Sequence, residues 1–182
     1  MRSEPGDTIP GLRKKFFVFL GLAVLMQQLM HFYSDGLSSR TIIDFELAKS
    51  VAQVQDFFSL WGTKGILQMQ KSIYADFLFL ACYSIALFWG TRFLGQLSGH
   101  FIFRKAGNFF SILALAAGLC DTIENISMLQ TLQGNLSASL IHLTHDIALI
   151  KFSLIMIVLL FMFSSFLYWV IDRMTERKWS KY

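Results

Sequence analysis

Cysteine is scarce in this chain. The 182 residues contain 2, Cys82 and Cys120. They are far apart and form no C-x-x-C, which excludes a quinone-linked disulfide-forming enzyme of similar size and leaves two small apolar residues. There is no G-x-S-x-G elbow and no glycine-rich phosphate loop, so neither a serine hydrolase nor a P-loop enzyme has a motif to stand on. Nothing resembles an RNA- or DNA-binding motif. No inverted repeat and no pair of broken helices marks a transport path. Only 15% of residues are charged and only 2 are Pro.

Apolar residues take up the space. They make up 54% of the sequence, 19 of them Phe, and the mean hydropathy is +0.52, well above that of soluble domains. This is the composition of a membrane protein. Four blocks, at about 16–33, 73–94, 109–132 and 147–171, could each cross a hydrocarbon core of about 30 Å at about 1.5 Å per residue. The expected fold is an all-α integral membrane protein, a four-helix transmembrane bundle forming one domain over residues 1–182. The first block follows Arg13, Lys14 and Lys15 like a secretory signal. Its apolar run continues into QQLMHFYSDG without a small-x-small cleavage site, so it is expected to be retained.

Basic residues set the expected orientation, because short cytoplasmic connections carry the excess Lys and Arg. Arg2, Arg13, Lys14 and Lys15 precede the first block. Arg92, Arg104 and Lys105 lie between the second and third, and Arg173, Arg177, Lys178 and Lys181 follow the fourth. The first connection mixes Arg40, Lys49, Lys64 and Lys71 with Asp35, Asp44, Glu46 and Asp56, and the third has no Lys or Arg. Both termini are therefore expected in the cytoplasm, with the protein multi-pass in the inner (plasma) membrane. The formal charge of +4 then points to anionic lipid headgroups rather than nucleic acid. Gly21, Ala114, Ala116, Ala117 and Gly118 are expected to let helices approach closely.

Between the first two blocks, Phe45, Ala48, Val51, Ala52, Val54 and Phe58 recur at near-helical spacing. Thr41 or Asp44 could cap such a helix and Gly62 could stop it, with a second short helical stretch from Thr63. Its mixed charge lacks the Lys/Arg-rich face of a membrane-surface helix. The reading is an outer lid over the bundle, at about 41–72, with Trp61 at headgroup level and Trp89, Trp169 and Trp179 nearer the cytoplasmic side.

The third block carries acids where a bilayer should be. Asp121, Glu124, Asn125 and Met128 follow i, i+3, i+4, i+7 spacing and form one stripe. Asp121 lies about 16 Å and Glu124 about 12 Å from the outer end of that helix. Lys151 enters the fourth block by about 8 Å, and Asp76 lies one turn inside the second. Ionisable groups in spans cost about 2.5 to 3.5 kcal/mol each and normally pair across helices. Asp76, Asp121, Glu124 and Lys151 are therefore expected to converge, three acids against one lysine, so that a proton or a cation joins them.

Three functions fit such a cluster. The first is a cavity that binds a lipid-like or amphipathic molecule, with Lys151 meeting an anionic headgroup or orienting a carboxylate. Asp121 and Glu124 would share a proton, Asn125 would bond the ligand, and Asp76 and Tyr83 would line the wall. The second is an intramembrane enzyme acting on a lipid by carboxylate or metal chemistry. The third is an accessory subunit in which the cluster only clamps the helices. His142, His145 and Asp146 form an H-x-x-H-D run with His31 on the same side, a weak zinc or iron ligand pattern. No cofactor is expected beyond that metal.

The stretches IIDFELAKSVAQVQDFFSLWG, SIYADFLFLACYSIALF, GLCDTIENISMLQTL and ALIKFSLI resemble a family of small bacterial four-helix inner-membrane proteins with no assigned activity. The resemblance covers roughly residues 16–165. It implies recurring positions at Phe45, Glu46, Leu47, Ala48, Trp61, Asp76, Tyr83, Asp121, Glu124, Asn125 and Lys151, and hence a shared polar site. Expected partners are membrane lipids and a small amphipathic ligand; a second copy or another membrane protein stays open.

Overall fold

A computed structural model describes residues 8–33 and 39–179. Arg2, Asp35 and Lys181, and the side chains of His31, Arg40, Arg177, Lys178 and Trp179, lie outside the described residues. The described residues form five helices and no strand: α1 (Ile9–Tyr33), α2 (Ser39–Glu46), α3 (Val51–Leu97), α4 (Phe101–Leu132) and α5 (Ala138–Trp179). Of these, α3, α4 and α5 are long and apolar enough to cross a membrane. Their outward surface is apolar along much of its length, with Phe109, Ile112, Leu119, Met156, Leu160 and Phe163 all exposed. Such a surface suits lipid rather than water.

The outer segment departs from the single helix expected there. Thr41 and Asp44 lie inside α2 rather than capping it, and α2 ends at Glu46. Ser50 then adopts an extended backbone and its Oγ accepts the Gln53 N–H at 3.3 Å, which starts α3 afresh. A serine that satisfies an orphan N–H this way favours a new helix over a continuous one. At Gly62 the backbone turns to φ 56° and ψ −171°, a region open almost only to glycine. This divides α3 into two arms. The second arm runs unbroken from Thr63 through the second apolar block, so 63–72 extends that helix and is no separate stretch.

The first arm and α2 fold over one end of the bundle. Phe45, Ala48 and Val54 are buried with Met69 and Ile73 of α3, Met128 and Leu132 of α4, and Ile141 of α5. Trp61 packs against Phe45 and Phe57, with ring centroids 5.3 Å away in each case. A second apolar cluster of Ala114, Val158, Phe161 and Met162, with Phe16, Leu87 and Phe110 against it, fills the other half. At that far end Lys15 Nζ lies 4.0 Å from the Trp89 ring centroid and Arg92 Nε donates to Asn108 Oδ1 at 3.2 Å.

Helices α3 and α4 cross at van der Waals distance. A Cβ on Gly95 would stand 2.7 Å from the Phe103 carbonyl oxygen, and one on Gly107 2.7 Å from the Thr91 carbonyl oxygen. Ala114, Ala117 and Gly118 are buried as well, whereas nothing lies within 4 Å of a Cβ built at Gly21. The two positions should therefore respond oppositely to the same change. Gly107→Ala should lose about 1–3 kcal/mol by forcing the backbones apart, while Gly21→Ala should be neutral or gain up to about 1 kcal/mol of helix propensity. Thermal unfolding in a mild detergent reads both, and an unaltered Gly107→Ala would disprove the close crossing.

Candidate functional site

Between the two apolar clusters lies a layer of polar side chains, and the helical repeat builds it. Asp121, Glu124, Asn125 and Met128 fall on one face of α4 and are exposed by only 5%, 0%, 1% and 2%. Across from them α5 presents Lys151, 5% exposed. Its Nζ donates to Asp121 Oδ1 at 3.2 Å and to Glu124 Oε1 at 2.9 Å. Tyr83 on α3 donates to the other Asp121 oxygen at 2.7 Å. About two turns earlier on α3, Asp76 Oδ2 accepts the Asn125 side-chain amide at 2.6 Å.

Sequence reasoning missed one member. Glu46, at the end of α2, reaches down so that its Oε2 lies 3.6 Å from Lys151 Nζ. Ile43, one turn before it, lines the same cavity. The available signal was the resemblance, which includes Glu46 among its recurring positions. Four carboxyl groups thus face one ammonium. Lys151 has three N–H donors; two are spent on Asp121 and Glu124, and Glu46 stands at ion-pair distance, so in this arrangement it orients carboxylates.

The layer opens on a cavity of about 540 Å³, within the usual range of about 300–1,000 Å³ for small-molecule sites. Glu46, Asp76, Tyr83, Asp121 and Lys151 form its polar end. Its walls are apolar: Leu20 and Ala23 of α1, Phe79, Ala86 and Leu87 of α3, and Phe152, Ile155 and Leu159 of α5. Phe16 and Met162 meet above Gly90, where an added Cβ would be 2.8 and 2.7 Å from them, and this closes the far end. Among the described residues α1 and α5 each pack on α3 but make no extensive contact with each other. The cavity lies in the gap between them, and Leu20, Phe152 and Leu159 at its rim are partly exposed.

The described members of the histidine run are not gathered around one point. His145 Nδ1 is 3.1 Å from the Leu47 carbonyl oxygen, tying the end of α2 to α5, while His142 and Asp146 are exposed. Among the described residues no group of three or more His, Cys, Asp or Glu is placed to hold a metal ion. On one helix face, i, i+3 and i+4 positions converge only if each side chain turns inward, and here a carbonyl has claimed the central one. Cys82 and Cys120 are free.

Compared with protein-family models, curated proteins and solved structures, the chain matches none.

Two tests follow from this geometry. Breaking a buried pair leaves an uncompensated charge and costs about 3–5 kcal/mol. Lys151→Met should therefore destabilise strongly, and Glu124→Gln should recover part of that loss in the double variant, read as a coupling in a double-mutant cycle. Additive losses would argue against the pairing. The second test concerns pH. Burial pushes the Glu46 carboxyl above its ordinary value of 4.5 and the Asp121 charge adds to this, while Lys151 and Glu124 pull it down. A raised carboxyl favours the docked α2 below its ordinary value, and that contribution is lost as pH rises through the raised one. Amide protection factors in 45–48 should fall across that window, less so in Glu46→Gln; equal slopes in both proteins would assign the effect to other groups.

Proposed function

We propose that this protein is a multi-pass membrane protein that binds a lipid-like amphipathic molecule, with the headgroup at the carboxylate–lysine layer and the tail in the apolar cavity. The observation that carries this reading is the cavity itself. A clamp would need only Lys151 and its carboxylates packed without a void, because empty space beside a buried ion pair forfeits contacts and costs stability. Here the same carboxylates form one end of a closed-bottomed apolar slot of about 540 Å³. From Lys151 to Met162 the slot runs about 16 Å along α5, room for an alkyl chain.

In this reading α1 is the fourth span. It has 25 residues, about 37 Å of helix, and carries exposed Phe17, Val18, Leu22, Val24 and Leu25. Arg13, Lys14 and Lys15 at its start, Arg92 near the end of α3, Arg104 and Lys105 early in α4, and Arg173 late in α5 gather at the uncapped end. The positive-inside rule then puts that end and both termini in the cytoplasm and the cap outside, with a bacterial inner membrane as the setting. The ligand enters sideways from the bilayer between α1 and α5, so its tail need never cross water. All five residues at the polar end are among those that carry the resemblance to small bacterial four-helix membrane proteins, which supports a ligand common to that group.

The test is native mass spectrometry of protein released from a mild detergent. Wild type should retain one amphiphile per chain. Ala86→Phe, which fills the cavity from its buried wall, should lose it while still melting cooperatively. Leu119→Phe, on the exposed face of α4, should keep it. An amphiphile retained equally by all three, or absent from a folded wild type, would overturn the reading.

A further inference from the structure

The polar end of the cavity is built for a positive charge. Asp76 faces the cavity, and among the described residues its only hydrogen bond is the neutral amide of Asn125 at 2.6 Å. Among the described residues no cation lies within ion-pair distance of it, and the buried Lys151 is held by Glu46, Asp121 and Glu124. A second sign is independent of the count of acids. Glu46 also lines the cavity, is only 9% exposed, and its Oε2 has no hydrogen-bond donor. A buried carboxylate oxygen without a donor costs more than an ordinary unpaired group. A ligand that brought N–H donors and a positive charge would meet both needs.

We infer that the amphiphile is cationic: an alkylammonium whose nitrogen sits between Asp76 and Glu46 and whose chain fills the cavity toward Met162. This rests on the amphiphile-binding reading above and specifies its headgroup class. An anionic headgroup would meet the Asp76 and Glu46 carboxylates, and the Lys151 charge that could offset them is already surrounded by Glu46, Asp121 and Glu124. A neutral headgroup would leave Asp76 without a counter-charge. The ammonium alone pairs with Asp76, supplies the Glu46 oxygen, and reduces the negative surplus in a layer shut off from water by apolar clusters on either side. Phe79 and Phe152 beside the polar end add aromatic surface that tolerates a cation; the Phe152 ring centroid already lies 4.6 Å from Lys151 Nζ.

The experiment offers three probes of equal chain length, dodecylammonium, dodecyl sulfate and dodecanol, to the full-length protein in a neutral polyoxyethylene detergent, with bound mass and melting temperature as readouts. Dodecylammonium should bind wild type about tenfold or more tighter than either of the others, and Asp76→Asn should lose about tenfold of that affinity, the worth of one charge-assisted hydrogen bond. Glu46→Gln should weaken it in the same direction. The probe comparison needs no variant, so a variant that fails to fold leaves it intact. Dodecyl sulfate or dodecanol binding as tightly as dodecylammonium would overturn the cationic assignment while leaving amphiphile binding in place. No binding of any probe by folded wild type would remove both.

Discussion

Everything at the centre of this protein turns on the Lys151 ammonium. It lies where water is excluded, 2.9 Å from a Glu124 oxygen and 3.2 Å from Asp121, with Glu46 a little farther away. In low dielectric a lone charge is prohibitive, and attraction between opposite charges is correspondingly strong. The lysine therefore dictates where the acids must be. It draws the α4 stripe toward α5, fixes Asp121 so that its second oxygen can accept from Tyr83 of α3, and gives the end of α2 a reason to dock. One side chain thus ties four helices together.

Such a charge layer survives because of what lies above and below it. The cap cluster around Phe45, Met69 and Met128 seals one side, and the cluster around Ala114, Val158 and Phe161 seals the other. Both depend on backbone details. The Gly95–Gly107 crossing brings α3 and α4 close enough for Tyr83 to reach Asp121. Gly62 turns the first arm of α3 back so that its apolar face covers the bundle instead of continuing away from it. The His145 contact with the Leu47 carbonyl and the Glu46 ion pair then fasten α2 from two directions.

The same arrangement leaves one place unsealed. Helix α3 serves as the common wall on which both α1 and α5 pack, and the two outer helices do not close on each other. A gap of this kind in a bundle that spans a bilayer faces lipid, not water. On the proposed reading, polar groups at the end of the gap are reached by a headgroup whose tail stays in an apolar medium throughout. On the proposed reading, access to the site would depend on the seating of the cap and the separation of α1 from α5, and chemistry at the site on the carboxyls that Lys151 leaves without a full counter-charge.

Much of this was legible in the sequence by itself. Apolar block length determined three membrane-length helices, since backbone groups in lipid must be satisfied within the segment. The i, i+3, i+4, i+7 spacing of Asp121, Glu124, Asn125 and Met128 determined that they share a face, and the cost of a buried charge determined that Lys151 would sit with acids. Gly62 was recognisable as a break. Tertiary structure alone decided the rest. Glu46 joins the site because the α2–α3 turn at Ser50 points it inward, a matter of chain direction that no local period encodes. His145 reaches the Leu47 carbonyl because of where the end of α2 lies. The cavity exists because α1 and α5 stand apart on α3: periodicity says which face a residue occupies, but only packing says which faces meet and where a space is left between them.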